Sequence, residues 1–212
     1  MATTQLTPTE LEKLHDVLDM FVTKKTSIAL SSLLGEPIKH NVKVKNQHMK
    51  EIDEKNDSIS DEILLCSVFL KGEGEIRIGI LYTVNEEDAK KIAAKLLCQD
   101  KVECLNDLEK SSISEVGNIM SGSFFNALSD HTGLQIELGT PGFATTSIKD
   151  LLHPHAEDFI TPTDDVSSHI EIEGVNSGVK LNMFIIQNSE NAKKLFTIQN
   201  SNTDSNDKTE SI

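Results

Sequence analysis

The chain lacks any apolar run near the ~20 residues that a membrane-spanning helix requires, which excludes helical insertion into a bilayer. It is also short of positive charge. Twenty Lys and Arg stand against 34 Asp and Glu, a formal net charge of −14, so nucleic acid and anionic membrane surfaces are repelled. Tryptophan is absent and tyrosine occurs once. Cysteine is scarce and odd in number. Cys66, Cys98 and Cys104 form no CxxC pair, which argues against a disulfide framework or a zinc site and leaves them as small buried apolar residues. The opening "MATTQLTPTELEKL" has no basic-then-apolar signal layout, so a reduced, cytoplasmic protein is expected.

The 212 residues suffice for one domain with a sizeable core. Thr7, Pro8 and Glu10 stand in the order of N-cap, N1 and N3 of a capping box. Leu11, Leu14, Leu18, Val22, Ala29 and Leu33 follow at helical spacing, and Gly35 is the expected stop. "NVKVKNQ" reads as a short strand. "EILLCSVFL" and "GEIRIGILYTV" read as strands of a hairpin turned at "KGEG". "NEEDAKKIAAKLL" reads as a short helix capped near Asn85.

The second half repeats the first. Ala29-Leu30-Ser31 and Gly35 return 98 residues later as Ala127-Leu128-Ser129 and Gly133, and "ILYTVNEEDAKKI" returns 103 residues later as "MFIIQNSENAKKL". The drift between offsets places extra residues in the loop-like stretch around Pro154 and Pro162. Two units of long helix, strand, hairpin and short helix, about 8–98 and 106–198, make a pseudo-twofold α+β domain with long helices on an antiparallel sheet. The polar stretch 199–212 is expected to be a disordered tail.

The chemistry concentrates in "SSISEVGNIMSGSFFNALS", residues 111–129. At 100° per residue Ile113, Val116, Met120, Phe124 and Ala127 form one buried stripe. Ser111, Glu115, Asn118, Gly122 and Ser129 gather on the opposite side, with Glu115 and Asn118 one turn apart. Two helix glycines, Gly117 and Gly122, each cost ~1 kcal/mol against alanine. On the polar line Gly122 removes bulk beside the carboxylate and amide, which would let another backbone approach. A merely solvated face is the competing reading.

These residues resemble the signature of the CheC/CheX/FliY family, phosphatases of the phosphorylated chemotaxis regulator CheY. Ser111, Glu115, Asn118 and Pro141 match its four motif positions, with "EVGNI" and "NALS" in their usual places and Pro141 in the turn "GTPG". The likeness spans roughly residues 8–198. With no further switch module read after the second half, CheC fits better than FliY. The resemblance implies a single CheC-like domain that hydrolyses the aspartyl phosphate of CheY. Asn118 would orient the attacking water and Glu115 would pair with a lysine of the regulator, while Ser111 and Pro141 support the site. Magnesium would belong to CheY, with no cofactor of this chain's own.

At the 98-residue offset the motif positions in the first half fall on Lys13, Val17, Met20 and Lys43. One working site is therefore expected. Leu14, Val17, Met20, Phe21 and Ile28 make that side of the first helix apolar, either packed by the chain itself or presented to a partner, for which the resemblance offers the deamidase CheD. A non-catalytic adaptor binding CheY or CheD is the alternative function, and a flagellar-switch component a third. Phe125 either touches the partner or packs on the second-half loop. His153 and His155, flanking a proline, read as surface loop, and "GEGEI" as a hairpin turn without the following helix of a phosphate loop.

Overall fold

The structure, a computed structural model, describes residues 5–46, 64–147 and 166–197. Helix α1 (Pro8–Phe21) starts at the expected capping box. The Thr7 N–H donates to Glu10 Oε2 at 2.8 Å and the Glu10 N–H to Thr7 Oγ1 at 3.3 Å. The helix passes through a π-helical turn (Val22–Thr26) into α2 (Ser27–Leu34), which Gly35 ends in the left-handed region at φ 65°. Strands β1 (Ile38–Lys45), β2 (Leu65–Gly74) and β3 (Ile78–Asn85) follow, then α3 (Glu86–Leu96), whose N-cap is Asn85. The second half contributes α4 (Asp107–Thr132), β4 (Ile136–Leu138), β5 (Gly142–Thr146), β6 (Val166–Gly174), β7 (Lys180–Gln187) and α5 (Ser189–Thr197). No helix among the described residues is long and apolar enough to cross a membrane.

The hairpin turns later than "KGEG". Strand β2 runs through Gly74, and the chain reverses over residues 75–77. Gly72 lies within the strand, where the Phe125 ring fills the space that a Cβ would need.

All strand pairs are antiparallel, in the order β1-β6-β7-β3-β2, with β4 and β5 both on the outer side of β2. The duplication is visible in the register. Leu81 faces Phe184, the residue 103 positions later, and the pairs Gly79–Ile186 and Thr83–Asn182 are exchanged about that point. The pseudo-twofold axis thus runs between β3 and β7. Each half lends its first strand to the other half's hairpin, β1 to β6 and β4–β5 to β2. The helices cover the sheet face of Val68, Leu70, Ile80, Tyr82, Ile170, Met183 and Ile185, all buried. In this core Phe21 and Phe124 meet edge to face at 5.7 Å, and Phe124 and Phe125 at 5.6 Å, pairs worth ~0.5–1.5 kcal/mol each beyond their buried area.

The two long helices do not align at one offset. Their C-caps, Gly35 and Gly133, are 98 residues apart, but their N-caps, Thr7 and Asn106, are 99 apart. The π-helical turn takes up the extra residue, as a one-residue insertion in an α-helix does. Burial confirms the shift. Leu14, Val17, Leu18 and Phe21 match Ile113, Val116, Gly117 and Met120 at 99, while Ser27 and Leu30 match Phe125 and Leu128 at 98; all are buried.

Glu36 locks the end of α2 to the β6–β7 hairpin. Its carboxylate accepts from the Asn176 N–H at 2.6 Å, the Ser177 N–H at 2.8 Å and the Ser177 hydroxyl. The Ser177 hydroxyl and backbone bonds hold its pKa below the ordinary 4.5. Because the folded pKa is depressed, this contribution is present above about pH 4.5 and lost as pH falls through the folded value. Glu36→Gln should therefore lower the thermal midpoint at pH 7, and the gap to wild type should close as pH is taken below 4. A gap that stays constant from pH 7 to pH 3 would contradict this assignment.

Candidate functional site

Helix α4 carries the motif, and its ends are firmly set. Glu109 accepts from the Asn106 backbone N–H at 3.0 Å, Asp107 and Glu109 lie in the positive first turn, and Gly133 ends the helix at φ 74°. The expected inward stripe is buried, joined by Gly117, Ser121, Phe125 and Leu128. Phe125 follows neither expectation: at 4% exposure it is no surface contact, and it packs on Gly72 of β2 and on Phe124 rather than on the second-half loop.

Outward, Glu115 and Ser111 are exposed and Asn118 is half-buried. Asn118 Nδ2 lies 3.5 Å from Glu115 Oε2, so amide and carboxylate share one patch. The two glycines have different reasons. A Cβ on Gly117 would lie 2.7 Å from Val68 Cγ1, so this glycine lets α4 press onto β2. A Cβ on Gly122 would meet nothing within 4 Å. Nothing in the fold asks for glycine there, and its absent side chain leaves the polar line open one turn beyond Asn118. Pro141 sits in the break between β4 and β5, where the edge strand beside β2 loses one residue of register. An edge-strand break is where a residue without an N–H costs least.

The first half departs from the expectation at three positions. With the offset of 99, the counterparts of Ser111, Glu115 and Asn118 are Glu12, Asp16 and Asp19, not Lys13, Val17 and Met20. Of the two readings of the apolar side, packing by the chain itself holds for Leu14, Val17 and Phe21, which are buried, while Ile28 is 59% exposed. Asp19 Oδ1 meets His40 Nε2 at 3.0 Å and Asp16 Oδ1 meets His15 Nδ1 at 3.2 Å. Strand β1, the counterpart of the broken β4–β5 edge, is continuous. The α4 face thus presents one carboxylate where the α1 face presents three, a difference that matters for any anionic partner group.

Cys66 is buried, which pushes its thiol pKa up, but Cys98 and Cys104 are exposed, contrary to expectation. Cys98 occupies a left-handed turn after α3, and Cys104 Sγ lies 3.6 Å from Asn106 Oδ1 in the loop before α4. No group of three or more His, Cys, Asp or Glu suited to a metal occurs among the described residues. His153, His155, the Pro154 and Pro162 stretch and the expected tail lie outside them.

Beneath the motif, Ser121 donates to Tyr82 Oη at 3.1 Å, both residues fully enclosed, and burial pushes the Tyr82 pKa upward. Sequence reasoning missed this pair. Ser121 is polar and lies next to the polar line, so only the packed structure shows that it faces inward.

Comparison with known proteins supports the resemblance drawn from the sequence. The model of the CheC-like family matches residues 108–144, the stretch holding Ser111, Glu115, Asn118 and Pro141. Among solved structures, Thermotoga maritima FliY is similar with a TM-score of 0.73 at 19% identity, over 92% of this chain and 98% of that one. The CheX of the Borrelia burgdorferi CheX–CheY–BeF3–Mg complex is similar at 0.52 and 16%, over 85% and 98%. FliM of the Helicobacter pylori FliM–SpeE complex is similar at 0.65 and 11%, over 93% and 97%. No curated protein matches by sequence.

Because Gly122 is helical and unobstructed, Gly122→Ala should stabilise the fold by about 0.5–1 kcal/mol, raising the thermal midpoint by about 1–4 °C. If the gap serves docking, Gly122→Gln should weaken capture of a partner while keeping the protein folded. Unchanged capture by a stably folded Gly122→Gln would mean that the gap is unused.

Proposed function

We propose that this chain hydrolyses the aspartyl phosphate of phosphorylated CheY, with one site on the outer face of α4. The carrying observation is the pairing of Glu115 and Asn118 on an exposed, otherwise uncharged line, inside the segment that the CheC-like family matches. The complex of a CheX of this fold with CheY, BeF3 and magnesium supports CheY as the partner class.

The chemistry asks little of this chain. An aspartyl phosphate is already activated, and magnesium with its charge-stabilising groups belongs to the regulator. What remains is to place one water in line with phosphorus and to keep the two proteins in register. A neutral amide suits the first task, since it can orient water without adding charge beside the phosphoryl oxygens, as a glutamine does in GTPases. Asn118 takes that role. Glu115, one turn away, would pair with a lysine of the regulator and fix the approach of the helix. Ser111 precedes Glu115 by one turn, and Pro141 shapes the neighbouring edge.

An adaptor that binds CheY or CheD without chemistry is the alternative. Leu14, Val17 and Phe21 of the apolar α1 face are buried in the core, while Ile28 is exposed, so most of that face is not open to a partner.

Phosphate loss from cognate phosphorylated CheY should be accelerated by the wild-type protein. Asn118→Ala should reduce this by about 10- to 1000-fold, given that small misplacements alone cost ~100-fold. Glu115→Ala should act mainly by weakening the complex. Wild-type protein that binds CheY yet leaves its dephosphorylation rate unchanged would establish the adaptor instead.

A further inference from the structure

The half without the motif has a clear physical relation to the half that carries it. Helix α4 of the second repeat lies on β2 and β3 of the first, and it presses onto β2 at Gly117, between Glu115 and Asn118 in sequence. A Cβ at Gly117 would stand 2.7 Å from Val68 Cγ1, 3.1 Å from Val68 Cβ and 3.4 Å from Tyr82 Cδ2. Turning the valine side chain would move Cγ1 but leave its Cβ at 3.1 Å, still tight enough to shift the helix by a few tenths of an ångström. Val68 and Tyr82 are register partners on adjacent strands. One turn further along the helix, Ser121 donates to Tyr82 Oη at 3.1 Å. Gly117 thus sets the height of α4 over the sheet, and the Ser121–Tyr82 bond sets its rotation.

The pseudo-twofold counterpart shows that this seat is particular to the motif-bearing helix. The positions related to Gly117 and Val68 hold Leu18 and Ser168, and those related to Ser121 and Tyr82 hold Val22 and Ile185. Each contact has changed as a pair. Where one half has a helix glycine and a strand valine the other has leucine and serine, and where one has a polar pair the other has two apolar residues. All eight residues are buried, so burial alone does not account for the difference.

We propose that Val68 and Tyr82 of the first repeat form the positioning floor for the catalytic helix of the second, so that Gly117 and Ser121 act as positioning residues for Asn118 and Glu115. This rests on the phosphatase reading above. Alanine at Gly117 would lift or tilt α4 until ordinary contact distance returns, a displacement of several tenths of an ångström or more.

The test is steady-state hydrolysis of cognate phosphorylated CheY, with folding followed by circular dichroism. Gly117→Ala should lower kcat by about 10-fold, since a misplacement of 1 Å can cost ~100-fold and this one is smaller, with KM changed by less than about threefold. Adding Val68→Ala, which removes the 2.7 Å contact and leaves only the Cβ at 3.1 Å, should recover most of the lost kcat. Should the single variant fail to fold, Tyr82→Phe removes only the hydroxyl, and its kcat should fall while KM holds. Wild-type kcat in folded Gly117→Ala or in Tyr82→Phe, or a double variant no better than the single, would overturn the proposal. Absence of hydrolysis by the wild-type protein is a different result. It would sink the phosphatase reading rather than the seat.

Discussion

Everything in this domain is referred to the antiparallel ladder between β3 and β7, where Leu81 meets Phe184 across the pseudo-twofold axis. That pairing fuses two repeats into one sheet. Because each repeat also lends its first strand to the other's hairpin, the helices of each half pack on strands from both halves. Helix α4 consequently rests on strands of the first half, and the first half is retained whether or not it has chemistry of its own. Erosion of a motif on α1 and preservation of the α1–β3 repeat are therefore compatible. The hairpin β2–β3 is needed under α4.

The difference between the two outward helix faces is electrostatic. On α4, Glu115 stands beside an amide, hydroxyls and an open glycine; on α1, the equivalent positions are Glu12, Asp16 and Asp19. In a chain with a net charge of −14, a face that is to meet a phosphoryl group has to be kept locally clear of carboxylates. The fold does not dictate that choice. FliM and CheX share the architecture at low identity, so function has to be argued from the residues on the helix face.

Much of this was legible in the sequence. The capping glutamate Glu10, the stop at Gly35 and its repeat at Gly133, the inward stripe of α4 and the duplication all follow from local patterns that burial then respects. The register of the first helix was not legible. A single inserted residue in a π-helical turn rotates everything before it by about 100°, which turned Val17 inward and Asp16 outward, and no local composition marks such a turn. The reason for Gly117 was equally hidden, since it depends on Val68, a residue of another strand and another repeat. Nor could the sequence separate Phe125 on the core from Phe125 on the surface, because the glycine that receives it, Gly72, reads as turn rather than strand.

The most direct measurement is a calorimetric titration of the protein with beryllofluoride-loaded CheY, using wild type, Glu115→Ala and the Asp16→Ala/Asp19→Ala double variant. The account predicts one CheY per chain, binding lost or greatly weakened by the change on α4, and binding unaffected by the changes on α1. Two CheY molecules per chain, or binding that survives Glu115→Ala and disappears with the α1 double variant, would contradict it.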